Sequence, residues 1–136
     1  RAEPGPNLEA MHELSIVMGI VDLARAQVQR SGHRRVDRID LDIGTLSGVE
    51  LDALDFAWQS AVRRTVLQDA ERHINRIPGK ARCLDCGAVF PVQALYEPCP
   101  RCGEYLTELL QGKELRVRSL VVSGGTKEAG KEAVPK

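Results

Sequence analysis

The chain of 136 residues carries 19 Lys plus Arg against 19 Asp plus Glu, so no net charge draws it to nucleic acid. Its hydrophobic fraction of 43% is that of an ordinary globular chain, its length suits one compact domain or a domain with a small appendage, and no apolar run approaches the ~18 residues of a membrane span. A chain this short buries only about two-thirds of its unfolded surface, so a separate lobe would gain from a metal clip.

Residues 1–10, RAEPGPNLEA, begin with Arg and combine Pro4, Gly5 and Pro6 without periodicity or an apolar h-region. They read as a foreign or processed leader and not as a signal peptide, with Met11 as the expected natural first residue. From Glu13 to about Arg30 the spacing predicts a helix. Leu14, Val17, Met18, Val21 and Val28 form one apolar row, and Ile16, Ile20 and Leu23 form a second beside it. The helix is expected to be mostly covered, with Met18 in the core and Ser15, Asp22, Arg25 and Gln29 on a narrow wet side. Ser31-Gly32 ends it, and His33, beside Arg34 and Arg35, is expected to be solvated with no metal role.

Arg38 to Ile43 alternates polar and apolar, the mark of a strand with one buried face. Asp40 and Asp42 then fall on its wet face, and Gly44 and Ser47-Gly48 break it. A second helix is expected from about Leu51 to Val66, with Leu54, Trp58, Ala61, Val62 and Thr65 inward, supported by Ala57. Arg72 to Ile77 reads as a strand ended by Pro78-Gly79, with His73 half exposed on it. After the cysteine-bearing stretch, Leu115 to Val122 reads as a returning strand. The remainder, 124–136, is Gly, Lys, Glu and Ala without an apolar stripe and is expected to be disordered.

This order predicts an α+β fold: two helices on a three-stranded sheet, with an inserted zinc-ribbon lobe. The α+β domain takes residues 11–79 plus 112–123, and the lobe takes 80–111.

All four cysteines lie in the lobe as two CxxC pairs, Cys83-Leu-Asp-Cys86 and Cys99-Pro-Arg-Cys102, separated by twelve residues. Each pair makes a tight turn that brings two sulfurs to one side, and Gly87 and Gly103 stand where the returning chain needs positive φ. Four thiolates at tetrahedral corners make a closed structural Zn2+ site with no position for a substrate. A disulfide pair and a rubredoxin-like iron site use the same residue types. The first is disfavoured in the cytoplasm, the compartment expected here, where thiols stay reduced. Phe90, Leu95 and Tyr96 are the expected miniature core. Three cationic side chains (Lys80, Arg82, Arg101) face four acidic ones (Asp85, Glu97, Glu104, Glu108), so the lobe nets −1 and lacks the basic stripe of a nucleic-acid module.

Met11-His12-Glu13 opens the first helix, Ile43-Gly44-Thr45-Leu46-Ser47-Gly48 follows the first strand, Pro78-Gly79 precedes the first CxxC, and the Cys83–Cys102 module comes after it. Together these resemble the HypA/HybF family of hydrogenase-maturation nickel metallochaperones over roughly residues 11–122. The resemblance implies a labile Ni2+ site apart from the zinc. Its donors would be the α-amine of Met11, the amide nitrogen and imidazole of His12, and the amide nitrogen of Glu13. Such fused nitrogen chelate rings are planar and suit Ni(II). In this chain ten residues precede Met11, so its nitrogen is an amide, and His12 and Glu13 are left with an imidazole and a carboxylate to offer.

The resemblance further implies the HypB GTPase and the large-subunit precursor of [NiFe] hydrogenase as partners, with urease maturation proteins as a second possible set. Neither nucleic acid nor a membrane is expected as a partner. No nucleophile–base pair or phosphate-cradling loop is visible, so the chain is not expected to be an enzyme. Two alternatives remain at this level: a zinc-ribbon adaptor for protein partners, and a nucleic-acid-binding module without nickel delivery.

Overall fold

A computed structural model describes the backbone at residues 8–124 and 132–135, with side chains at 12–124. Most of the expected leader (1–7) and of the expected disordered tail (125–131 and 136) lies outside the described residues. The elements run α1 (Leu8–Ser31), β1 (Arg35–Gly44), α2 (Leu51–Ala61), β2 (Glu71–Ile77), β3 (Gly79–Cys83), β4 (Val89–Val92), β5 (Thr107–Gln111), β6 (Leu115–Ser123) and β7 (Glu132–Pro135). One sheet has the order β2-β1-β6-β7 and the other the order β4-β3-β5. The predicted two-helix, three-strand set is present, extended by β7, which pairs antiparallel to β6 with Leu120 opposite Val134. Among the described residues no helix is long and apolar enough to cross a membrane.

The chain divides into two compact units. The first comprises Arg1–Asp40, Glu50–His73 and Val117–Lys136. In it α1 and α2 pack on each other. The buried face of α1 is Glu13, Val17, Ile20, Val21, Ala24 and Val28, a row at three- and four-residue spacing. Two apolar residues expected on this face are outside it: Met18 is 55% exposed and Leu14 38%. Val17, Val21 and Val28 of the expected row and Ile20 beside it are inside, and Ala24, small enough for close helix approach, joins them. Helix α2 buries Leu54, Ala57 and Trp58. It stops at Ala61, short of the predicted Val66. Thr65 is the cause: its hydroxyl and its backbone N–H both donate to Val62 O, at 2.6 and 3.1 Å, closing a local turn in place of another helical one. Arg64 then takes φ 62, with its N–H donating to Gln68 Oε1 at 2.6 Å. Arg72 lies 5.1 Å from the centre of the Trp58 ring and pairs with Asp55 at 2.7 Å.

β1 starts at Arg35, three residues before the predicted Arg38. Val36 is buried, Asp37 half-buried and Arg38 exposed, and Ile39 resumes the buried phase. This phase change hides Val36 from an alternation count.

The second unit comprises Leu41–Val49 and Ile74–Arg116, and so extends past the predicted lobe on both sides. Its core is Ala81, Cys83, Phe90, Val92 and Cys99, with Leu46, Ala88 and Leu109 packed against it. Of the expected miniature core only Phe90 is inside; Tyr96 is 85% exposed and Leu95 40%. The sheet β4-β3-β5 replaces them, since its alternation turns Ala81, Cys83, Phe90 and Val92 to one face.

Three glycines let strand ends cross within this unit. A Cβ on Gly44 would overlap the carbonyl of Gly112, and one on Gly112 would stand 2.8 Å from Gly79 Cα. Gly112 has φ 127, and its carbonyl accepts from Leu46 N at 2.7 Å. Backbones this close leave no room for a side chain.

Asp42 departs from the solvated reading. It is 1% exposed, accepting from Asn75 Nδ2 at 3.1 Å and from Arg116 Nε at 3.0 Å. A carboxylate this deep needs such donors. Asp40 keeps more water contact and accepts from Arg38 and Ser119.

Candidate metal centre

The two CxxC turns are built alike. Gly87 N donates to Cys83 O at 3.0 Å, and Gly103 N to Cys99 O at 2.8 Å. Both glycines have φ 79, as the sequence predicts. Each turn is closed from behind, by Cys83 N on Ala88 O at 2.8 Å and by Cys99 N on Glu104 O at 2.9 Å. Backbone N–H groups point at the sulfurs. Asp85 N and Cys86 N lie 3.4 Å from Cys83 Sγ, and Arg101 N lies 3.3 Å from Cys99 Sγ. Amides directed in this way favour thiolate over thiol.

The four sulfurs lie within 4.8 Å of one another. Across the turns, Cys83 to Cys102 is 3.6 Å and Cys86 to Cys99 is 3.7 Å. A tetrahedron with ~2.3 Å Zn–S bonds has edges of about 3.8 Å, so the cluster fits a zinc ion. The distances are far beyond a disulfide bond, and all four cysteines are free. Cys83 and Cys99, the first of each pair, are buried, while Cys86 and Cys102 are exposed. Each turn thus contributes one sulfur to the core and one to the rim.

The protonation of the cluster supports a cation. Burial works against ionisation of Cys99, but the N–H groups of Cys102 and Arg101 and the neighbouring thiols outweigh it and bring its pKa down to about 7. For Cys102 the N–H of Glu104 favours the thiolate, yet burial and three adjacent thiols push the pKa up to about 12. The Cys99 thiolate forms readily, and Cys102 resists ionising beside it. A divalent cation at the centre removes that penalty.

The second set of predicted ligands stands at the start of α1. The helix begins at Leu8, so Met11, His12 and Glu13 lie within it and do not open it. His12 is exposed. The Glu13 side chain is fully buried, and its Oε2 accepts from Glu50 N at 2.8 Å. The carboxylate the sequence offered to a metal is therefore inside the protein. The structure brings the four cysteines together. The other two histidines have local partners. His33 Nδ1 is 2.9 Å from Ser31 Oγ, and His73 Nε2 is 2.7 Å from Glu71 Oε2.

The family profile "Hydrogenase/urease nickel incorporation, metallochaperone, hypA" matches residues 11–122. The chain belongs to the HypA family. Its relatives include the hydrogenase maturation factor HypA of Parabacteroides distasonis, 46% identical over 112 residues, which are 82% of this chain and 97% of the relative. The HypA of Geobacter metallireducens is 42% identical over 112 residues, 82% and 99% of the two chains. The solution structure of the Ni metallochaperone HypA from Helicobacter pylori is 25% identical with TM-score 0.59, covering 85% of this chain and 98% of that one. A second solution structure of a HypA protein is 28% identical with TM-score 0.62, covering 81% and 94%. The family binds nickel and structural zinc, and the four-sulfur cluster is where this member fits the zinc.

Sequence reasoning missed the Glu13 side chain as a structural element. A signal was available: Glu13 stands four residues before Val17 and eight before Val21, at the head of the buried row. The motif drew attention to its backbone nitrogen instead.

Proposed function

We propose that the chain takes up Ni(II) at the start of α1 and assists its insertion into the large-subunit precursor of [NiFe] hydrogenase. The observation that carries this is the family match over residues 11–122, which begins on Met11-His12-Glu13. In the form that begins at Met11 the donors are the Met11 amine, the His12 amide nitrogen and imidazole, and the Glu13 amide nitrogen. Cys83, Cys86, Cys99 and Cys102 hold zinc permanently, since four sulfurs leave no position free. Reduced thiols as ligands favour the cytoplasm. A HypB-type GTPase is the partner, and the chain itself turns over no substrate.

The extent of α1 gives this reading a physical edge. A helix from Leu8 places the carbonyls of Leu8 and Glu9 four residues ahead of the N–H groups of His12 and Glu13, as helical acceptors. A chain that begins at Met11 has both N–H groups in its first turn, where no helical acceptor exists. Those nitrogens can then be metallated without loss of helix bonds, and the Met11 nitrogen is a free amine.

Calorimetric titration with Ni(II) tests the reading on the chain beginning at Met11, on the full chain, and on His12→Ala of the shorter chain. The chain beginning at Met11 is expected to bind at least about tenfold tighter than the other two. Equal affinities in all three would end the assignment.

A further inference from the structure

Helix α2 lacks a cap of its own. Its N-cap residue, Glu50, makes no side-chain cap hydrogen bond. In a capping box the third residue of the helix is Glu or Gln and reaches back to the N-cap N–H. Here that position is Ala53, which cannot. The missing acceptor comes from another helix: Glu13 Oε2 takes the Glu50 N–H at 2.8 Å across 37 residues of sequence. The same carboxylate is fully buried, and its Oε1 has no hydrogen-bond partner. A side-chain oxygen accepting a backbone N–H at a helix N-terminus does the work of a cap, and breaking the arrangement leaves a buried donor unsatisfied.

We propose that the Glu13 carboxylate is a positioning residue: an inter-helix cap that ties the start of α1 to the N-terminus of α2 and thereby fixes how His12 and the adjoining backbone nitrogens are presented to nickel. This rests on the nickel reading above. The carboxylate acts through the backbone it anchors and does not touch the metal. Val17, one turn on along the same buried face, holds α1 by packing alone and serves as the control.

Hydrogen exchange at the Glu50 amide reads the cap directly in the full chain. Glu13→Ala is expected to speed that exchange by about tenfold or more. Glu13→Gln keeps a side-chain acceptor and restores most of the protection, and Val17→Ala leaves it within about twofold. In chains beginning at Met11, the absorption of bound Ni(II) reads the consequence. Glu13→Ala is expected to weaken nickel by about tenfold, Glu13→Gln to recover most of the loss, and all variants to keep stoichiometric zinc.

Unchanged Glu50 exchange in Glu13→Ala overturns the cap. Equal loss of nickel in Val17→Ala overturns positioning in favour of general packing. A Glu13→Gln variant that keeps Glu50 protected yet loses nickel as fully as Glu13→Ala would make the carboxylate a ligand. If the parent binds no nickel while Glu50 still responds to Glu13, the nickel reading and the positioning role fall together and only the cap stands.

Discussion

The cysteine unit, which gathers four sulfurs, and the first turns of α1, where nickel is proposed to bind, are made in opposite ways. The cysteine site is closed by bonds within ten residues of each ligand: two turns, two left-handed glycines, and amides aimed at sulfur. At the start of α1 the recorded polar tie joins distant residues, Glu50 N to Glu13 Oε2, and the nitrogens proposed there as nickel donors include backbone groups whose availability depends on what precedes Met11. The first arrangement suits an ion that stays, and the second suits one that is passed on.

The largest expected break of this contrast is removal of zinc. Structural zinc in small folds contributes ~10–16 kcal/mol, so a strong chelator, or Cys99→Ser, should strip the ion and abolish amide protection over Gly79–Gln111. Protection in α1 should survive. Stoichiometric zinc retained by Cys99→Ser would refute the four-thiolate centre.

Next in size is the glycine crossing. Gly44→Ala forces a methyl into the Gly112 carbonyl and is expected to cost ~3 kcal/mol or more by denaturant titration. Gly19→Ala, where a Cβ meets nothing within 4 Å, should be neutral or stabilising by ~1 kcal/mol.

A smaller effect is expected at Asp42. Arg116→Leu withdraws a charged donor from a carboxylate that is 2% exposed and should cost about 2–3 kcal/mol. Asp42→Asn in that background should recover part of it, because the uncompensated charge is gone. Equal stability of the two variants would show that the carboxylate stays compensated without Arg116.

The smallest effect concerns Asp40. The hydrogen bond from Arg38, reinforced by Ser119, holds its carboxyl below the usual range against the opposing effect of burial. A depressed folded-state pKa means stability that is present above the ordinary carboxylate value of about 4 and fades as pH falls below it. Since Arg38 is exposed, Asp40→Asn should lower Tm by only ~1–2 °C at pH 7, and by less at pH 3. An equal effect at both pH values would remove the charge from the explanation.

The cysteine site was legible because every constraint on it is local: spacing places the sulfurs, and glycine places the turn. The start of α1 was legible only by resemblance. A backbone nitrogen carries no side-chain signature, and the apolar row was read too wide, taking in Leu14 and Met18. Phe90 was found inside because it sits on a strand whose partner faces the same way, while Tyr96 was not, because its hydrophobicity says nothing about the turn it occupies.

By itself the sequence determined the grouping of four cysteines, the two glycine turns, the order of the two helices with β1, β2 and β6, and a net charge of zero. These rest on spacing, periodicity and sums, which need no partner residue to be known. Only the tertiary structure decided that Glu13 and Asp42 are buried, that α2 borrows its cap from α1, and that three glycines let strands cross. Each is a meeting of residues tens of positions apart, and the energy of a polar group depends on what it meets.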